Sequence, residues 1–190
     1  PVLVFIHTEL IDGGKLNFTP VEKDKVDWHK DIGTLTYKEL KAINSFILLG
    51  KSGSTGSRPN IVYGRKGLAL KFWDSVQKIK YFGSVGAKSK TVSAQSVVLK
   101  GIAKLAFDLA YGKKSLQNED YLTRLWESLE KGTLDFSHKN KLWRSLMLTT
   151  EDRNNTHKGI DKYVHVPSGT NLDAGTYDDE NEWVRYGAKH

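Results

Sequence analysis

The chain has no cysteine. Disulfides, thiolate zinc sites and thiol catalysis are therefore excluded. Its apolar runs, such as Val2–Ile6 and Phe46–Leu49, are short. They fall far below the roughly 18 consecutive residues of a membrane helix, so no membrane partner is expected. Pro1 to Ile6 has no basic region before it and no small-residue cleavage site after it, so no secretory signal is legible. The chain begins at Pro1 rather than Met, as a fragment or a processed product would. Asn17-Phe18-Thr19 and Asn154-Asn155-Thr156 fit the glycosylation pattern, but without a signal they read as chance. The expected location is the cytoplasm.

What is present suits one domain over residues 1–190. Apolar residues make up 38%, and five Trp, eight Tyr and seven Phe give bulk enough for one core.

Acids are missing from one stretch. Residues 51–90 hold nine basic side chains against the single acid Asp74, which leaves +8. The rest of the chain holds 20 basic and 21 acidic groups and sums to −1. All the excess of the +7 net charge therefore sits in about a fifth of the chain. A concentrated positive field attracts polyanions. The candidate nucleic-acid-binding residues are Lys51, Ser52, Arg58, Arg65, Lys66, Lys71, Lys78, Lys80, Lys88 and Lys90. Tyr63, Phe72, Trp73, Tyr81 and Phe82 lie among them, and rings beside cations can stack on unpaired bases. For Phe72, Trp73 and Phe82 a core position is the better reading. The acidic cluster Asp173, Asp178, Asp179, Glu180 and Glu182 offers an internal partner for the basic stretch, or a solvated loop.

The patterning suggests an α+β fold, with short N-terminal strands, a hairpin and about three packed C-terminal helices. Residues 1–90 read as mixed α/β with the basic glycine-rich segment, 91–150 as helical, and 151–190 as an irregular polar tail. Val2–Ile6 reads as a strand and Ile11–Lys15 as a turn. Thr36 caps a helix that stops at Gly50. Ile61–Tyr63 and Leu68–Leu70 read as a hairpin around Gly64-Arg65-Lys66-Gly67. Ser93, Asn118 and Ser137 are expected caps of the three later helices, with Gly112 and Gly132 as stops of the first two. A short strand is expected at Tyr163–Val166.

Gly50-Lys51-Ser52 does not complete a P-loop, because the position five before Gly50 holds Ser45 rather than Gly. The Gly50–Pro59 loop suits phosphate contact or a plain surface loop. His7, His29, His138, His157, His165 and His190 meet no metal-ligand spacing. Asp12, Glu22 and Lys25 contain the residue types of a metal-dependent nuclease without its strand frame. No metal or cofactor is expected.

The string Leu134-Asp135-Phe136-Ser137-His138-Lys139-Asn140-Lys141-Leu142-Trp143, with the helices around residues 80–150, resembles the C-terminal part of DGQHR-domain proteins. That group includes DndB-type proteins linked to DNA phosphorothioate modification. The naming motif is absent, since Asp12-Gly13-Gly14-Lys15 is only superficially like it. The resemblance implies a DNA-associated protein of bacterial or phage origin, acting in modification, defence or regulation. It transfers no catalytic residue.

The expectation is a nucleic-acid-binding protein, with DNA favoured over RNA, and the reading leans away from an enzyme. The alternatives are a metal-dependent, nuclease-like enzyme acting through carboxylates and a domain that meets an acidic protein partner.

Overall fold

Helical spacing of apolar residues organises the N-terminal half. A computed structural model describes residues 1–22, 35–84, 91–137, 140 and 143, and the backbone of three strands at 164–165, 174–178 and 183–187. Helix α1 (Val2–Phe5) runs directly into a π-helical stretch, Ile6–Ile11. Val2, Phe5, Ile6 and Leu10 are buried, while Val4 is 54% exposed. A strand would place Val2, Val4 and Ile6 on one face. The helix separates them, and the expected strand at Val2–Ile6 is overturned.

Helix α2 (Tyr37–Leu49) opens on a capping box: Glu39 N–H donates to Thr36 Oγ1 at 3.1 Å, and Thr36 N–H donates to Glu39 Oε2 at 2.8 Å. Gly50 closes it in the left-handed region at φ 70°. The Phe107 ring occupies the space that a β-carbon at Gly50 would need. Glycine is therefore required there twice, for its φ and for its bareness.

The expected hairpin is also overturned. Residues 59–76 form two successive helices, α3 (Pro59–Gly64) and α4 (Lys66–Val76), joined at Arg65. Pro59 suits the first turn of α3, where its missing N–H costs nothing. Leu68, Ala69, Phe72, Trp73 and Val76 are buried, at the spacing of one helical face.

Helix α5 (Ser96–Tyr111) starts later than expected. Gln95, not Ser93, holds the cap position, and Ser93 is buried with its hydroxyl 2.7 Å from that of Thr91. Helix α6 (Glu119–Glu130) starts where the sequence places it: Tyr121 N–H donates to Asn118 Oδ1 at 2.9 Å. Glu119 and Asp120 in its first turn suit the positive end of the helix dipole.

The core lies among α2, α4, α5 and α6, and α2 against α5 is the most extensive helix contact. Trp73 is fully buried at its centre. Its indole N–H donates to Asn44 Oδ1 at 3.2 Å, and Asn44 Nδ2 donates to the Leu40 carbonyl at 2.9 Å. Both buried polar groups are thereby satisfied.

The fold is helical, not α+β. Among the described residues from 1 to 137 there is no strand, only the isolated bridges Val21–Thr36 and Thr91–Ser137. Three short antiparallel strands follow in the order β1 (Val164–His165), β2 (Ala174–Asp178), β3 (Trp183–Gly187). Thr176 of β2 pairs with Val164 on one side and Arg185 on the other. β2 occupies residues expected to form a loop. The helix expected after Ser137 lies outside the described residues, apart from Trp143.

Candidate nucleic-acid interface

The ten basic-segment candidates separate into three groups along the α2–α4 pair. Arg65 Nη1 donates to the Leu48 carbonyl at 2.8 Å, which brings the start of α4 to the end of α2. The Trp73–Asn44 bond further along makes the two helices antiparallel. Eleven residues of α4 span about 16 Å at 1.5 Å per residue.

At one end is the loop between α2 and α3. Lys51, Ser52 and Arg58 are exposed there. Lys51 and Arg58 form no ion pair among the described residues. No acid lies between residues 50 and 58. The Ser57 hydroxyl oxygen in this loop is buried without a hydrogen-bond partner.

Arg65 sits where the loop end meets the core. Besides bonding the Leu48 carbonyl, its guanidinium carbon lies 5.0 Å from the ring centroid of Phe107 and 5.0 Å from that of Tyr111. One side chain thus fastens α2, α4 and α5 together. Cation–aromatic contact and a charge-assisted bond to a helix-terminal carbonyl explain its position without any ligand.

Along α4 the cations are matched by acids from distant parts of the chain. Lys66 lies 3.6 Å from Glu9. Lys71 Nζ donates to Glu130 Oε1 at 2.6 Å, and Lys78 Nζ donates to Asp74 Oδ2 at 2.8 Å and lies 3.5 Å from Glu130. Ser75 Oγ donates to Glu130 at 2.8 Å. Bonds from Lys71 and then Ser75 hold the Glu130 carboxyl down at a pKa of about 2, from a usual 4.5. The Asp74 carboxylate, and after it Glu130, holds the Lys78 ammonium above its usual 10.5. Two cations and two anions thus close a neutral cluster that joins α4 to α6.

At the other end, beyond α4, Lys80 is exposed with its ammonium 5.0 Å from the centroid of the Tyr81 ring. Lys88 and Lys90 lie outside the described residues. The segment's surplus charge is therefore not one face. It is a loop pair, a neutralised middle and a far end, and the neutralising acids Glu9 and Glu130 are invisible in a local count.

The aromatic residues divide as cleanly. Phe72, Trp73 and Phe82 are buried, with Phe18 packing on Trp73 at 6.0 Å and on Phe82 at 5.8 Å. Tyr63 is 36% exposed, but its ring packs edge-on to Phe5. Tyr81 is 39% exposed and is alone among the described non-glycine residues in having a positive φ, 68°.

The Leu134–Trp143 string closes on itself. Asp135 Oδ1 accepts from the Ser137 N–H at 2.8 Å. The Asp135 carbonyl accepts from Asn140 Nδ2 and from Trp143 Nε1, both at 2.7 Å. Phe136 stacks on Trp143 at 5.4 Å. These residues build a packed corner, with hydrogen bonds that run within the string.

Among the described residues no group of three or more His, Asp or Glu could hold a metal ion. Asp12 and Glu22 lie at the surface, and Lys25 lies outside the described residues. The side chains of the acidic cluster at 173–182, and of His29, His138, His157, His165 and His190, also lie outside them. A cleft of about 390 Å³, which sequence reasoning missed, opens between Leu68, Leu109, Tyr111, Gln117, Glu119 and Leu122. It forms where three helix ends meet, a junction that no local pattern marks. Among the described residues no helix is long and apolar enough to cross a membrane. No family model, curated protein or solved structure matches the chain.

Proposed function

We propose that the protein binds nucleic acid through phosphate contacts made by the two ends of the basic segment, with the α2–α3 loop as the principal anchor. The observation that supports this is the contrast in pairing. Lys66, Lys71 and Lys78 spend their charge on internal acids. Lys51 and Arg58 are exposed, have no acid beside them in the loop, and sit among serine and threonine hydroxyls and backbone N–H groups that also bond phosphate oxygens. Lys80 lies beyond the other end of α4, roughly 16 Å of helix away, or about five steps of duplex at 3.4 Å each. DNA is favoured over RNA solely by the resemblance of the Leu134–Trp143 string. The setting of bacterial or phage DNA modification, defence or regulation has the same basis.

The test is a fluorescence anisotropy titration of labelled single- and double-stranded oligonucleotides at several salt concentrations. Binding at about 50 mM salt that weakens steeply as salt rises is the expected result. No binding to either form at that salt would overturn the proposal. If an acidic protein is the true partner, an oligonucleotide will not compete for it.

A further inference from the structure

Tyr81 carries a backbone cost that its neighbours do not require. Its φ of 68° lies in the left-handed region, which bulky L-residues seldom adopt. The turn it belongs to does serve packing, because Phe82 must enter the core, where it is 5% exposed and meets Phe18 at 5.8 Å. A glycine at position 81 would turn the chain the same way without strain, as Gly83 does two residues later at φ 77°. The turn therefore accounts for the conformation but not for the tyrosine. The result of the strain is a ring 39% exposed, with the Lys80 ammonium 5.0 Å from its centroid. Strain of this kind gathers at ligand-binding positions.

From this geometry we infer that Tyr81 is a stacking platform for an unpaired nucleobase, with Lys80 placed to hold the adjoining phosphate. The inference rests on the nucleic-acid reading and adds a ligand class to it, single-stranded nucleic acid. A phenol ring offers a π-face that any base can cover, and a neighbouring cation strengthens contact with the strand. Tyr121 supplies the contrast. It is more exposed, at 57%, and has Arg124 5.7 Å from its ring, yet it lies on a regular helix beside Glu119, Asp120 and Glu127. Those acids repel phosphate, and no strain presents that ring.

The experiment compares the wild type with Tyr81→Gly, Tyr81→Phe and Tyr121→Ala. The ligands are a labelled 20-nucleotide oligo-dT and an inorganic polyphosphate chain, which has charge but no bases. Tyr81→Gly is expected to bind oligo-dT at least about fivefold more weakly, the loss of one stacked base. Its affinity for polyphosphate stays at the wild-type value, and its urea midpoint is equal or higher. Tyr81→Phe and Tyr121→Ala stay within about twofold of wild type, since the first keeps a stacking ring and the second lies outside the site. Wild-type affinity of Tyr81→Gly for oligo-dT would overturn the stacking role and leave the nucleic-acid reading standing. An equal loss for polyphosphate would reassign the residue to phosphate positioning and overturn the stacking role as well. A lowered urea midpoint would make it structural, which also overturns the inference. A wild-type protein that binds neither oligo-dT nor a duplex would remove the nucleic-acid reading and this inference together.

Discussion

Two sets of cations from one stretch of sequence have different surroundings. Lys71 and Lys78 belong to α4 and the turn after it, and are closed into a cluster with Asp74 and Glu130. Lys51 and Arg58 lie fewer than thirty residues earlier, in an acid-free loop, without an ion pair among the described residues. Along the chain both sets look alike. In space the first is spent on holding α6 against α4, and the second is left to meet a ligand. A charge excess counted along sequence becomes an interface only where folding does not bring acids to it.

The largest expected effect comes from a cation that the comparison assigns wholly to structure. Arg65→Ala removes the bond to the Leu48 carbonyl and the contacts with Phe107 and Tyr111. It should cost about 2–3 kcal/mol in urea denaturation, the range for a charge-assisted bond plus aromatic contact. Oligonucleotide affinity per folded molecule should not change. A loss of binding at undiminished stability would move Arg65 to the functional side.

A smaller effect is expected from Glu130→Gln. Its lysine partners are both more than 40% exposed, so the loss should be limited to about 1 kcal/mol near neutral pH. The pH dependence sharpens the point. Glu130 titrates at about 2 in the fold against a usual 4.5, so its contribution is complete above about 4.5 and is lost as pH falls through about 2. The stability gap between wild type and variant should therefore narrow across that window. A gap that stays constant from pH 7 to pH 2 would show that the cluster does not act through the Glu130 charge.

The least change is expected from the paired substitution Lys71→Gln with Glu130→Gln, which removes a matched pair and keeps net charge. Binding to a 20-nucleotide oligonucleotide should stay within about twofold, since every phosphate-binding cation remains. A drop of tenfold or more would mean that the α4 cluster opens to meet the ligand.

Much of the helical part was legible where a side chain marks a boundary. Thr36 with Glu39, Gly50, Asn118 and Gly132 all act as caps or stops at the positions where local chemistry puts them. The misreadings at Val2–Ile6 and Ile61–Leu70 share one cause. Short runs with β-branched residues fit a strand as well as a helix, and only the longer spacing decides. Leu10 extends the Val2, Phe5, Ile6 pattern to a second turn, and Phe72, Trp73 and Val76 do the same for Leu68 and Ala69. Gly64 and Gly67 looked like a hairpin turn, yet Arg65 between them is held by tertiary contacts to Leu48 and Phe107. The partners that neutralise α4 were not legible either, because Glu9 and Glu130 are each more than fifty residues from the lysines they meet. The strain at Tyr81 has no sequence signal, since tyrosine does not advertise a positive φ.

The loop cations, rather than those of α4, are the ones proposed to meet the polyanion. The most direct test is the salt dependence of binding for two double variants that remove the same charge, Lys51→Gln with Arg58→Gln and Lys71→Gln with Lys78→Gln. The loop variant should lower the slope of log affinity against log salt by roughly 2, near 0.9 for each phosphate contact removed, and the α4 variant should leave it unchanged. Equal slopes for the two variants would contradict the assignment.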